Sequence, residues 1–288
     1  MTNQVEFPHI EGMTDSMTKI SLRADVPVEA ADHQTLRDVL LVALAVASGA
    51  VDAISYFGLG KIFSAFMTGN IVFVGFRIAN LKEPHVLHGI IALSMFAVGA
   101  YVGLRITALH SQESGWWPRR VSNLLALVAI AEAVFLVVWS ATAGHPSDEI
   151  ADVLIVLFSL AMGIQTAAVR SLGVQGVFTT AGTATLVAFI GTFAGAQPRT
   201  EMARLVGVLV GLVAGAAGGG LLFLYARSFA PVLPLAITVL VLLAGRTIQR
   251  SQGGSQRNSI SIAYRPVGNK SWMRRRAQRS VEGEGAQR

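Results

Sequence analysis

The chain has no cysteine among its 288 residues, which excludes disulfide staples, zinc thiolate sites, iron–sulfur clusters and a cysteine nucleophile. Charge is scarce as well: soluble domains carry about 25% charged residues. Here the share is 14%, against 52% hydrophobic. That leaves too little polar surface to cover a water-soluble body of this length. The apolar body holds no phosphate-binding loop, no paired His-x-x-x-His and no Gly-x-Ser-x-Gly elbow, so no enzyme chemistry is expected. All six histidines fall in the tails or connections. His85 and His88 are expected as an interfacial pair and not as metal ligands, and no metal or other cofactor is expected. The sustained period-two alternation of an outer-membrane barrel is also missing.

What the chain has is long apolar runs. A helix rises 1.5 Å per residue, so roughly 20 residues cross a hydrocarbon core about 30 Å thick. Runs near that length stand at 39–57, 62–80, 86–106, 121–143, 151–169, 177–196, 203–226 and 231–245. They predict an all-α polytopic bundle of about eight membrane segments over residues 36–246. The runs at 62–80 and 231–245 are short and are candidates for re-entrant or strongly tilted segments. Before the bundle lies a flexible acidic tail, 1–35, and after it a basic disordered tail, 247–288. The net charge of +6 sits largely in that last tail, where Trp272 beside Arg274, Arg275 and Arg276 suits anionic lipid better than nucleic acid.

With eight crossings, Arg23, Arg37, Arg77, Lys82, Arg199, Arg204, Arg246 and Arg250 share one side. Lys61, Arg105, Arg119, Arg120, Arg170 and Arg227 share the other. The bias predicts a bacterial inner-membrane protein with both termini cytoplasmic.

A weak internal repeat joins two halves, about 36–145 and 150–246. Gly49, Asp52, Phe63 and Thr68-Gly69-Asn70 of the first are echoed by Gly163, Thr166, Phe178 and Thr183-Ala184-Thr185 of the second. Gly99 and Gly103 are echoed by Gly211, Gly215 and Gly219. Four crossings per unit make the halves parallel, the arrangement expected here, whereas three would invert them. At "GAVDAISYFGLGKIFSAFMTGN" the chain resembles the YoaK family of uncharacterised bacterial multi-pass membrane proteins. The resemblance implies a helical membrane fold and no established activity. The second motif departs from the family pattern of Gly-x-Gln-Asn and Thr-Gly-Thr, reading Gly163-Ile164-Gln165-Thr166 and Thr183-Ala184-Thr185.

Polar groups inside apolar helices are the candidate functional residues. Asp52, Thr68, Gly69, Asn70, Gln165 and Thr166 are expected to converge on one substrate or ion site near the bundle centre. Glu132, near the middle of its run, needs a partner or a proton. Arg77 and Arg170, at segment ends, are expected to snorkel. Ser159, Gly163, Thr166 and Arg170 form a small and polar stripe expected to meet the Asp52 face, and Gly207, Gly211, Gly215 and Gly219 form a packing ladder. Two readings follow. One is a transporter or permeation unit for a small solute or ion; the other is a membrane interaction protein whose polar groups only fix helix packing.

Overall fold

The structure, a computed structural model, describes residues 28–79, 86–109, 116–174, 180, 182–196 and 198–263. The regular elements are all helical: α1 (Val28–Gly58), α2 (Met67–Ala79), α3 (Val86–Leu109), α4 (Arg119–Ala141), α5 (Asp148–Arg170), α6 (Gly182–Phe193), α7 (Met202–Tyr225) and α8 (Val232–Ala263). Among the described residues, six helices are long and apolar enough to cross a membrane: α1, α3, α4, α5, α7 and the stretch Arg227–Gln249 that contains most of α8's apolar part. The run at 231–245 is therefore part of a full crossing. The α8 helix also runs on past 246 to Ala263, and the basic residues beyond it lie outside the described residues.

The two remaining helices, α2 and α6, have 13 and 12 residues and reach only about 20 Å. The direction of α2 is fixed by side-chain contacts. Asp52 of α1 accepts hydrogen bonds from the amides of Ala65 (2.7 Å) and Phe66 (3.4 Å), just ahead of α2. Near α2's other end, Arg77 donates to the carbonyl of Gly60, just past the end of α1, at 3.3 Å. So α2 starts beside Asp52 and finishes beside Gly60, running in the same direction as α1. The chain turns back into the apolar layer after α1, helped by two consecutive left-handed residues, Gly60 (φ 84°) and Lys61 (φ 55°), and leaves by the face it came from.

The ends of the long helices confirm this topology. The Arg37 guanidinium lies over the Trp116 ring at 5.6 Å, so α1 and α4 begin at one face. At the other face Gly58 lies against Trp139 and Phe223, and Trp139 Nε1 donates to the Arg227 carbonyl at 2.8 Å, so α1, α4 and α7 end together. Hence α1, α4 and α7 run one way and α3, α5 and α8 the other. Each unit has three crossings and one half-helix, and the repeats are inverted. The parallel arrangement expected from four crossings per unit is overturned, because α2 and α6 enter and leave on a single face each.

The repeat governs packing as well. Among the described elements, α1 packs chiefly on α7 and α8, and its counterpart α5 chiefly on α3 and α4. Gly49 of α1 meets Leu212 and Ala216 of α7 backbone to backbone; its echo Gly163 meets Phe96 and Ala100 of α3 in the same way. Gly207, Gly211, Gly215 and Gly219 lie along Val42, Val46 and Ala50 of α1. Such contacts let helices approach without intervening side chains, which matters where lipid supplies no hydrophobic drive for association. The stripe with Gly163 thus faces α3 and not the Asp52 face of α1. The outward faces, such as Ile130, Val134 and Val137 of α4, are apolar and exposed, as contact with lipid requires.

Candidate functional site

Each unit holds its half-helix with a polar clamp. In the first, Asp52 takes the Ala65 and Phe66 amides, and Asn70 grips Phe63 twice. Asn70 Oδ1 accepts from the Phe63 amide at 2.9 Å, and its Nδ2 donates to the Phe63 carbonyl at 2.6 Å. Ser55 and Ser64 pair at 2.7 Å. The bonds to Asp52 and Asn70 satisfy backbone groups of Phe63, Ala65 and Phe66 that no helix ladder serves, and each such bond contributes about 0.5–1.5 kcal/mol net. Asp52 and Asn70 are therefore brought together on one loop. The Thr68 side chain is exposed, outside the cluster, and Gly69 lies under the Phe63 and Phe66 rings where a Cβ has no room.

In the second unit Thr166 stands where Asp52 stands in the first. Its hydroxyl pairs with the Thr180 hydroxyl at 3.0 Å and donates back to the Met162 carbonyl at 2.7 Å. Thr180 precedes α6 as Ala65 precedes α2. The repeat thus keeps the clamp and changes its chemistry, a carboxylate on amides in one half and paired hydroxyls in the other. Because the units are inverted, Asp52 lies toward one face and Thr166 toward the other. The six residues expected at one site are distributed over two. Gln165, fully buried, connects the units by donating to the Leu44 carbonyl of α1 at 3.3 Å, while its Oε1 has no partner.

Sequence reasoning missed a second symmetric feature. Arg204 at the start of α7 pairs with Asp38 of α1 at 3.5 Å and with Glu201 at 3.1 Å. His88 at the start of α3 pairs with Asp152 of α5 at 3.3 Å. Asp38 and Asp152 are separated by the same interval as Gly49 and Gly163; Arg204 and His88 by the same interval as Gly215 and Gly99. The two contacts are counterparts on opposite faces, a relation visible in the sequence only once the repeat intervals are applied to polar and charged residues. His88 is buried against Asp152 at the start of α3, and His85 lies outside the described residues. Arg77 is likewise buried, its guanidinium donating to the Gly60 carbonyl just past the end of α1. No group of three or more metal-ligating side chains occurs among the described residues.

Glu132 stands apart from both clamps. It is fully buried in the middle of α4, and the hydroxyl of Thr238 in α8 faces its carboxyl. Neither carboxyl oxygen nor the Thr238 hydroxyl makes a hydrogen bond of good geometry.

These features define a polytopic α-helical membrane protein built as an inverted repeat with one half-helix per unit. The family described as "Protein of unknown function (DUF1275)" matches residues 40–244, and the chain belongs to it. It is similar to the UPF0700 transmembrane protein YoaK of Bacillus subtilis (strain 168), 35% identical over 159 residues, covering 55% of this chain and 68% of that protein. No solved structure matches the chain.

Proposed function

We propose that the protein is a secondary transporter for a small solute or ion, working by alternating access, and not an enzyme. The inverted repeat with a half-helix in each unit carries the reading. Such repeats let one set of contacts open toward either face by exchanging the roles of the two halves, and broken segments bring backbone dipoles inside the apolar layer. Two interlocked bodies, α1 with α7 and α8, and α5 with α3 and α4, supply elements that can rock against each other. The paired contacts Asp38–Arg204 and Asp152–His88 stand where gates at the two faces would stand.

Orientation follows from the same charges counted on the revised topology. Taken with the connection or terminus to which the sequence assigns each, Lys61, Arg77, Lys82 and Arg227 fall to one face. The other ten of the fourteen fall to the face of the termini. The bias is stronger than on eight crossings and supports cytoplasmic termini in a bacterial inner membrane.

Uptake into proteoliposomes of purified protein, against panels of small organic anions, cations, amino acids and inorganic ions, tests the proposal. Accumulation above empty liposomes is expected for one class. Tightness to every panel with correctly folded protein rejects it and favours the rival reading of an interaction protein. The full engagement of Asp52 and Asn70 on their own loop supports that rival.

A further inference from the structure

The pseudo-two-fold axis of an inverted repeat passes through contacts between equivalent helices, here α1 with α5 and α4 with α8. The α4–α8 contact contains Glu132 and Thr238, each near the middle of its crossing and each fully buried. An ionised carboxylate in such a place costs about 2.5–3.5 kcal/mol even on insertion scales, unless a cation or donors offset it.

The helices packed around Glu132 offer no cation. On α5, Asp148, Glu149, Asp152 and Arg170 stand at the ends of the helix, as do His88 and Arg105 on α3. Arg246 lies at the far end of α8's apolar stretch, and Arg227, ahead of α8, donates to the Gly144 carbonyl. Asp52 is held on loop amides toward one face. Within α4 itself Val128, Ala129 and Phe135, one turn away on either side, are buried and apolar. The Thr238 hydroxyl faces the carboxyl, and no other hydrogen-bond partner serves it among the described residues.

We propose that Glu132, with the Thr238 hydroxyl as its hydrogen-bond partner, is a proton-binding site at the contact between the two bodies, coupling the transport proposed above to the proton gradient. A proton from water at one face neutralises the carboxylate and bonds to Thr238. When the bodies rock and the site opens to the other face, the proton leaves to water there. The coupling role rests on the transporter reading; the binding of the proton does not.

Infrared difference spectroscopy of the purified protein in lipid nanodiscs, titrated with acid and alkali, reads the site directly. The wild type is expected to show a protonated-carboxyl stretch that disappears reversibly on alkalinisation. Glu132→Gln is expected to lack that band, and Thr238→Val to shift its frequency by removing the hydroxyl, which keeps the test available if Glu132→Gln fails to fold. Three results overturn the site: the same titrating bands in wild type and Glu132→Gln, a band that never leaves while the protein stays folded, or loss of the band on adding sodium at constant pH, which assigns a metal cation instead. These readouts need no transport substrate and so stand whatever the uptake screen finds. If uptake is found, equal rates and equal pH dependence in Glu132→Gln reject the coupling role alone.

Discussion

Replacing Gly215 by alanine places one methyl group where α7 meets the backbone of α1. The added Cβ would overlap the Val46 carbonyl oxygen and lie 2.7 Å from its carbon and 2.8 Å from its Cα. These are backbone atoms of a central helix, so no side chain can swing aside and α1 and α7 must separate. Overpacking of this kind costs about 1–3 kcal/mol, against which alanine returns up to about 1 kcal/mol of helix propensity. Two controls isolate the clash. Gly75 in α2 has nothing within 4 Å of its Cβ position, and at Gly218, in α7 itself, the nearest atom is a Leu233 methyl at 3.2 Å. Gly60 is unsuitable as a permissive site because its φ of 84° strains any side chain. Thermal unfolding in detergent, followed by loss of the monodisperse size-exclusion peak, should rank Gly215→Ala below wild type and both controls at or above it. If Gly215→Ala is as stable as Gly218→Ala, the backbone contact between α1 and α7 does not hold the bundle together.

Asp52→Asn keeps a side-chain oxygen for the Ala65 amide and should retain most of the stability, whereas Asp52→Ala leaves the Ala65 and Phe66 amides unpaired and should lose about 1–3 kcal/mol; equal melting of the two variants would reject the clamp. Asn70→Leu removes both bonds to Phe63 and should loosen the α1–α2 loop, seen as faster hydrogen exchange at residues 63–66 with α5 unchanged. Arg204→Gln leaves Asp38 and Glu201 without their cation. Breaking a buried pair costs about 3–5 kcal/mol, but both carboxylates are partly solvated, so a loss of about 1–2 kcal/mol is expected by chemical denaturation; wild-type stability would show the pair to be incidental.

Much of the fold was legible in the residues because hydrophobic run length reports directly on membrane crossing. All eight runs could be assigned in this way only as helices, without direction, since hydropathy carries no sign. The direction of α2 depends on Arg77 reaching Gly60 and Asp52 reaching Ala65, contacts that local pattern does not encode. The repeat was visible in Gly49 and Gly163 and in Gly99 and Gly215, because only glycine admits the backbone approach those positions make. Its relative orientation, parallel or inverted, was not, since it depends on whether the second element of each unit crosses. Asp52 and Asn70 belong to one clamp as expected of neighbouring polar groups, but Gln165 and Thr166 were separated from them by the inversion. The Asp38–Arg204 and His88–Asp152 pairs escaped notice because each joins residues of different halves.

The central claim is the inverted topology, and the absence of cysteine allows a direct test by introducing one cysteine at a time. Lys61→Cys, His145→Cys and Ser171→Cys lie in the α1–α2, α4–α5 and α5–α6 connections. Labelling by a membrane-impermeant maleimide, in intact and in permeabilised cells, assigns each to a face. With six crossings and two half-helices, Lys61→Cys and His145→Cys label from the same face and Ser171→Cys from the opposite one, whichever way the protein is inserted. Labelling of Lys61→Cys together with Ser171→Cys, and of His145→Cys from the other face, would mean that α2 crosses fully and would contradict the inverted repeat.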